Sequence, residues 1–510
     1  MKYVLTGTQM KAVDADTIER IGIPSLVLME RAALCVAEAV EEQAGSWISQ
    51  NLTRDKIRIL IACGTGNNGA DGIAAGRILK ERGYFVTLVL AGNPEHASEE
   101  NRFQRQVGEN LAVPMIKAED GISGSYHVIV DALLGIGLTR PVEGAYLKLI
   151  EQLGEKRETE KARVVAVDIP SGIQADTGAV MGAALPADVT VTFGFLKTGL
   201  ALYPGKGYGG QIRVADIGFS KRSLERTGWD GLLPEPSELS LLPARNPDGN
   251  KGTFGKVLVI AGSRGMCGAA YLSALAAYRT GAGLVKVLTV PENRPMLQTL
   301  LPEAIVETYE PEEPEAGTFK AFIEGQCDWA DAIVLGPGLG RESLAGYLVE
   351  IVLSYAYVPI VLDADGLNTV SRHPYLTRYF TENIIITPHM GEMARLCGCS
   401  VEELKDSPVQ AAKDYSSRYG TVCVLKDAVT VTADKEGNTW INGSGCSAMA
   451  KGGSGDVLTG VIAGLLARGM DCSEAAWMGV YVHGLAGEKA AGIWGDQGVL
   501  ASNLADCLEV

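Results

Sequence analysis

Two series of short β-branched runs, each alternating with stretches of helical period, confine this chain to an α/β architecture with parallel sheets covered by helices. The first series has strand candidates at residues 57–62, 85–90, 128–130, 164–167, 189–193 and 211–214, with helical stretches such as 70–82 and 143–153 between most of them. Two helices, 8–20 and 24–43, are predicted ahead of it, the second opening on Pro24, where a missing N–H does no harm. The second series runs through 256–260, 284–290, 332–335, 360–362, 384–386 and 422–425, and then into helices at 456–468 and 473–491. Between 220 and 254 the periodicity lapses and Pro234, Pro236, Pro243 and Pro247 cluster, which marks a domain boundary. No close internal repeat relates the halves, so the chain reads as a fusion of two different α/β domains.

At 510 residues the chain exceeds one ordinary core, in line with that division. Its net charge of −16 argues against a nucleic-acid backbone as partner. Small anions remain possible ligands, provided that backbone amides, helix ends and bound cations hold them. No apolar stretch approaches the roughly 18 residues that span a bilayer, so no membrane partner and a cytoplasmic location are expected. Ten scattered cysteines without a C-x-x-C pair support neither a zinc site nor a disulfide framework.

The most informative segment lies near the end, where Gly452-Gly453-Ser454-Gly455-Asp456 runs directly into the apolar stretch 457–466. A glycine-rich turn that opens a helix presents free N–H groups and the positive end of the helix dipole to an anion. An aspartate in such a turn would repel phosphate, but it suits a base that takes a proton from a hydroxyl undergoing phosphorylation. An ordinary helix start with Asp456 as an N-terminal charge is the bland alternative. Three other segments point to the same crevice: Gly336-Pro337-Gly338-Leu339-Gly340 after a strand, Thr387-Pro388-His389-Met390-Gly391-Glu392 between strand and helix, and Lys426-Asp427-Ala428-Val429-Thr430 between two strands.

In the first half, Cys63-Gly64-Thr65-Gly66-Asn67-Asn68-Gly69-Ala70-Asp71-Gly72 follows a strand and satisfies G-x-G-x-x-G. A dinucleotide-binding Rossmann site also wants an acid at the end of the next strand, and that strand ends Leu88-Val89-Leu90-Ala91-Gly92. The glycines therefore signal close backbone approach, without the ribose acid. Two more strand ends carry polar groups where an open parallel sheet places its ligands, Asp131-Ala132-Leu133-Leu134-Gly135-Ile136-Gly137 and Asp168-Ile169-Pro170-Ser171-Gly172.

These motifs, in this order, resemble the NAD(P)H-hydrate epimerase family, and Lys451-Gly452-Gly453-Ser454-Gly455-Asp456-Val457-Leu458 resembles its usual fusion partner, the ribokinase-like NAD(P)H-hydrate dehydratases. Ala70 stands where the family commonly has a second glycine. The resemblance covers almost the whole chain and implies a Rossmann-like three-layer sandwich in residues 1–220, a linker and domain entry at 221–254, and a ribokinase-like domain in 255–510. It implies potassium at Asn68, Asp131 and Ser171. Hydrated NADH or NADPH would lie against Asn67, Asn68, Gly69, Ala70 and Asp71 and against Gly135, Ile136, Gly137, Leu138, Thr139, Arg140 and Pro141, with Asp168 as the acid/base residue. In the second half it assigns Ala269, Gly338, His389 and Asp456 to the hydrated cofactor, with Asp456 catalytic. Lys426, Asp427, Ala428, Val429 and Thr430 with Gly453, Ser454 and Gly455 would hold the nucleotide, ADP with Mg2+. A homo-oligomer is the expected assembly. The competing readings are a ribokinase-like small-molecule kinase fused to a non-catalytic nucleotide-binding module, and a first half retained only as a scaffold.

Overall fold

The computed structural model describes residues 1–310, 316–340 and 343–510. The chain divides into two compact units, Lys2–Leu232 and Leu233–Val510, the latter joined by Met1.

The first unit is built on a parallel sheet. Its strands are β1 (Lys2–Leu5), β2 (Arg58–Cys63), β3 (Phe85–Leu90), β4 (Met115–Lys117), β5 (Val128–Ala132), β6 (Arg163–Val167), β7 (Val189–Phe193), β8 (Leu196–Lys197) and β9 (Gln211–Ala215). Seven of them lie in the order β4-β3-β2-β5-β6-β7-β9, all parallel, while β1 and β8 pair with each other. Successive side chains of a strand face opposite ways, and the core divides accordingly. Ile59, Ile61, Val128, Val130 and Val165 pack beneath the helices Ser25–Ile48 and Asn67–Glu81, whose Ala33, Val36, Ala37, Ile73 and Ala74 are buried against them. Leu60, Ala62, Ile129, Val164 and Ala166 pack on the other face beneath Leu149, Ile150 and Leu153 of the helix Gly144–Glu160. Both faces are therefore apolar, which is why these strands read as continuous hydrophobic runs. From β2 the sheet grows one way through β3 and β4 and the other way through β5, so the chain reverses direction between β2 and β5. The crevice outside their carboxyl ends is where such sheets take ligands.

The predicted helix at 8–20 is shorter. It spans Gly7–Ala15, capped by the Thr6 side chain on Gln9, and passes into a π-helical turn, Asp16–Ile21, that stops at Gly22 with φ +89°. A left-handed residue cannot continue a helix. The helix Glu99–Asn110 and strand β4 were outside the sequence expectation.

A short strand, β10 (Gly231–Leu233), stands at the division of the two units. The second unit contains β11 (Lys256–Ile260), β12 (Leu284–Thr289), β13 (Ile305–Thr308), β14 (Ala332–Leu335), β15 (Ile360–Leu362), β16 (Ile384–Ile386), β17 (Val422–Leu425), β18 (Val431–Ala433) and β19 (Thr439–Ile441). They run β13-β12-β11-β14-β15-β16-β17-β18-β19, parallel as far as β17 and antiparallel from there on. The helices Cys267–Arg279 and Ser454–Ala467 pack together on this sheet at very short range. A Cβ on Gly460 would lie 2.2 Å from the Ser273 carbonyl oxygen, and one on Gly464 would lie 2.8 Å from Thr280 Cβ. Only glycine permits that approach.

Candidate functional site

Each unit gathers polar groups at the carboxyl ends of its parallel strands. In the first, the chain leaving β2 turns so tightly against the chain leaving β5 that a Cβ on Gly64 would sit 2.0 Å from the Leu133 carbonyl oxygen. The turn then opens the helix Asn67–Glu81 with Gly66 at its N-cap. Asn67, Asn68 and Asp71 thus ride on the first turns of a helix instead of on a loop. Gly69 packs on Gly64, and Ala70 is fully buried, so neither lines the opening. The Asn68 side chain lies against Gly135, and its Nδ2 is buried without a hydrogen-bond partner.

Asp131, on β5, is fully buried. Its Oδ2 accepts the Ser171 N–H at 2.7 Å and its Oδ1 accepts the Ser171 hydroxyl at 2.5 Å, while Ser171 Oγ accepts the Leu134 N–H at 2.9 Å. Burial nevertheless lifts its carboxyl to a pKa of about 6, because no cationic side chain compensates it. Asp168 follows β6 with φ +66°, a conformation that an aspartate holds only where its surroundings demand it. The demand is visible. Asp168 Oδ1 accepts from Lys197 Nζ at 2.5 Å, from the Phe193 N–H at 3.1 Å and from Thr192 Oγ1 at 3.2 Å. Lys197 is itself completely buried and also donates to Thr192 Oγ1 and the Phe193 carbonyl. One carboxylate oxygen is pinned while the residue lines a cavity of about 510 Å³. Asn67, Asn68, Asp71 and residues 135–140 line the same cavity, whereas Pro141 does not. Sequence reasoning missed Lys197, Lys11 and Asp14. A lysine inside the apolar run Phe193-Gly194-Phe195-Leu196-Lys197 was the available signal for the first.

In the second unit, Gly453 caps the helix Ser454–Ala467 with φ +95°, and Asp456 sits in its first turn. Ser454 turns its hydroxyl back to the Met449 carbonyl at 2.7 Å, which holds the turn closed. Gly455 approaches Lys426, which the resemblance places with it at the nucleotide, and Asp363, which sequence reasoning had not joined to it: its Cβ position is 3.3 Å from Lys426 Nζ and 3.6 Å from Asp363 Oδ2. Lys426 Nζ donates to Asp363 Oδ1 at 2.8 Å, and Asp363 is 2% exposed at the end of β15. Burial raises the Asp456 carboxyl to about 6, with further pressure from Asp363 and Asp365 against the pull of Lys426. Asp363 and Asp365 were missed, although Asp363-Ala364-Asp365-Gly366 directly after a strand is the same kind of signal that singled out Asp131 and Asp168.

The glycine turn after β14 belongs to this cleft. The Gly340 N–H donates to Asp365 Oδ2 at 2.9 Å, and a Cβ on Gly338, at φ +58°, would lie 3.0 Å from Ala269 Cβ. His389 pairs with Lys426 through a backbone bridge, and its Nδ1 accepts the Gly391 N–H at 3.0 Å as a helix cap. Its side chain stays 56% exposed and open to a ligand at Nε2, which lies 3.5 Å from Glu392. Within 426–430 only Lys426 reaches Gly455; Asp427 and Ala428 are exposed and Val429 is buried. Another missed group is His483, buried on the helix Cys472–Gly498 near the Ser454 backbone and Lys426, with Nε2 unpartnered. Burial lowers its pKa to about 4, so it is neutral at physiological pH. Among the described residues no group of three His, Cys, Asp or Glu side chains is placed to hold a metal.

Comparison with known proteins follows the same division. The family described as YjeF-related protein N-terminus matches residues 25–199, and the family described as NAD(P)H-hydrate dehydratase matches residues 257–509. A bifunctional NAD(P)H-hydrate repair enzyme of Thermofilum pendens is 37% identical over 98% of this chain and 94% of its own length. Its Escherichia coli K12 counterpart is 37% identical over 88% and 84% respectively. Among solved structures, an ADP/ATP-dependent NAD(P)H-hydrate dehydratase of Bacillus subtilis co-crystallised with ATP and Mg2+ is 33% identical, with 52% of this chain and 91% of that one covered at a TM-score of 0.45.

Proposed function

This chain belongs to the family of bifunctional NAD(P)H-hydrate repair enzymes, and on that premise we propose how its two clefts divide the work. The protein repairs damaged nicotinamide nucleotides: it interconverts the R and S forms of hydrated NADH and NADPH, and it dehydrates the S form back to the intact cofactor. Epimerisation belongs to the cleft of Asp168 and dehydration to that of Asp456.

In the first cleft, Asn67, Asn68, Asp71 and residues 135–140 would cradle the hydrated cofactor, and Asp168 would exchange protons at its ring. Lys197 serves by aiming Asp168, since it offers a buried ammonium to one oxygen only. Potassium suits the neighbouring group. Asn68, Asp131 and Ser171 offer an amide, a carboxylate and a hydroxyl, and the Asp131 charge is buried without a cationic partner. An ion held there would neutralise that charge and favour the anionic cofactor.

In the second cleft, Asp456 would take the proton of the ring hydroxyl as that oxygen attacks the terminal phosphorus of ADP. The amides of Gly453, Ser454 and Gly455 stand at a helix N-terminus, where negative charge develops. Lys426 is positioned to exchange Asp363 for a phosphate oxygen. Mg2+, when bound with the nucleotide, would offset phosphate charge. The phosphorylated hydroxyl is a good leaving group: it departs as inorganic phosphate with its electron pair while the ring nitrogen forms a carbon–nitrogen double bond, and loss of a proton from the neighbouring ring carbon then restores the dihydronicotinamide, with AMP as the other product. Ala269, Gly338 and His389 would hold the hydrated ring.

The observation that carries this reading is the carboxyl of Asp456, with a pKa raised to about 6, set in a glycine-rich helix start against Lys426. Mixed R and S hydrates incubated with ADP and Mg2+ should give full recovery of absorbance from the reduced nicotinamide. A stable phosphorylated product in place of inorganic phosphate would replace this function with that of a small-molecule kinase.

A further inference from the structure

The 510 Å³ cavity of the first unit adjoins an inner one of about 160 Å³ walled by Ile18, Leu28, Met29 and Phe193. Lys11, Asp14, Asn67, Asp71, Ile136 and Asp168 line both, so they form the neck between them. Three carboxyl groups therefore line one constriction. Asp168 has Lys197 as its partner. Asp14, from the helix Gly7–Ala15, and Asp71, from the helix Asn67–Glu81, have no hydrogen bond or ion pair among the described residues. Glu100 adds a further negative charge nearby, and among the described residues the cations lining the inner cavity beside the neck are Lys197 and the exposed Lys11.

Charge balance at this neck is unequal. The Lys197 ammonium is taken up by Asp168, which leaves the half-buried Asp14 and Asp71 without a partner of their own, and like charges held close together share protons instead of ionising together. Burial and the neighbouring Asp168 and Glu100 raise the Asp14 carboxyl, against the pull of Lys197, and burial with Asp168, Asp14 and Glu100 raises Asp71 well above the usual range.

We propose that Asp14 and Asp71, the two carboxyl groups of the neck without a partner, share one proton as the acid half of the epimerisation site, with Asp168 as its base half. This rests on the epimerase reading of the first cleft and deepens it by choosing a route. The shared proton moves to the ring hydroxyl; the carbon–oxygen bond breaks with its electron pair, water leaves, and the lone pair of the ring nitrogen forms a carbon–nitrogen double bond. Water then adds to the opposite face, the double bond returns its electrons to nitrogen, and the surplus proton of the added water passes to Asp168. Return of that proton across the neck restores the starting state, with no oxidant or reductant consumed.

The test measures conversion of R to S hydrate without nucleotide, from pH 5 to 9, on the full-length chain and its Asp14→Asn, Asp71→Asn and doubly substituted variants. The double variant should lose about 10²-fold or more in kcat, over and above any change in KM from the place of Asp71 in the cradle. In each single variant, removal of one negative neighbour eases ionisation of the remaining acid, so the alkaline fall of the rate should move to lower pH. The single-variant profiles decide the matter if the double variant does not fold. Unchanged kcat and unchanged pH profiles would overturn the proposal. Absence of R to S conversion by the unmodified protein would instead remove the epimerase reading beneath it.

Discussion

At the scale of single residues, the clefts differ in how a carboxylate is prepared. Asp168 is pinned by a buried ammonium, whereas Asp456 is raised by burial and by two acidic neighbours. A base must be ionised to act, so ADP-dependent recovery of the S hydrate should fall about tenfold per pH unit below roughly 6. Asp456→Asn should reduce recovery about 10²- to 10⁴-fold while sparing R to S conversion, and Asp168→Asn should do the reverse. Loss of both activities in either folded variant would dissolve this assignment. Asp168, Asp131 and Asp456 were legible because each stands at a strand end or helix start beside small residues. Lys197 and His483 were not, since a lone polar residue in an apolar run says nothing of which distant carboxylate or backbone it meets. Asp363 was within reach and went unread because its partner, Lys426, lies 63 positions away.

At the scale of elements, the strands lining both clefts were largely visible, for a parallel strand buried on two faces is a plain apolar run. Glu99–Asn110 escaped because its exposed charges outweigh the few residues it buries, Asn101, Gln104 and Gly108, which are themselves polar or small. The tight turn after β2 supplies a clean stability test. Gly64→Ala would force a Cβ against the Leu133 carbonyl, so a loss of roughly 1–3 kcal/mol and of epimerisation is expected. Gly66→Ala, with φ −86° and open space around it, should unfold at nearly the unmodified temperature. Differential scanning calorimetry of the two variants checks the contrast.

At the scale of the whole molecule, the net charge of −16 opposes the organic ligands proposed for it, since the hydrates and ADP are all anions. Electrostatic steering cannot assist their capture, and short-range amides and bound cations must. Added salt screens the repulsion. At constant K+ and Mg2+, KM for the hydrates should therefore fall or stay level as ionic strength rises, opposite to the behaviour of a site fed by a basic surface; a steep rise would contradict the proposed mode of binding. K+ should also raise the unfolding temperature of the unmodified protein and not of Asp131→Asn, read by calorimetry. The two-part organisation was legible from the lapse in periodicity and the prolines, whereas the sheet order was not, because strand neighbours are chosen by packing between distant segments.

The glycine seam of the second unit bears on how that cleft could adapt to its occupants. Gly460 and Gly464 let the helix Ser454–Ala467 nest against Cys267–Arg279 with no room for side chains between them, and sliding either rod past the other would drive backbone into backbone. The glycine turn at the start of Ser454–Ala467, proposed to take the phosphate, and Ala269 are then parts of a single anvil. Whatever yielding the cleft needs when a substrate arrives must come from the opposing jaw, where His389 is carried on a strand-to-helix connection and Lys426 on a connection between two strands.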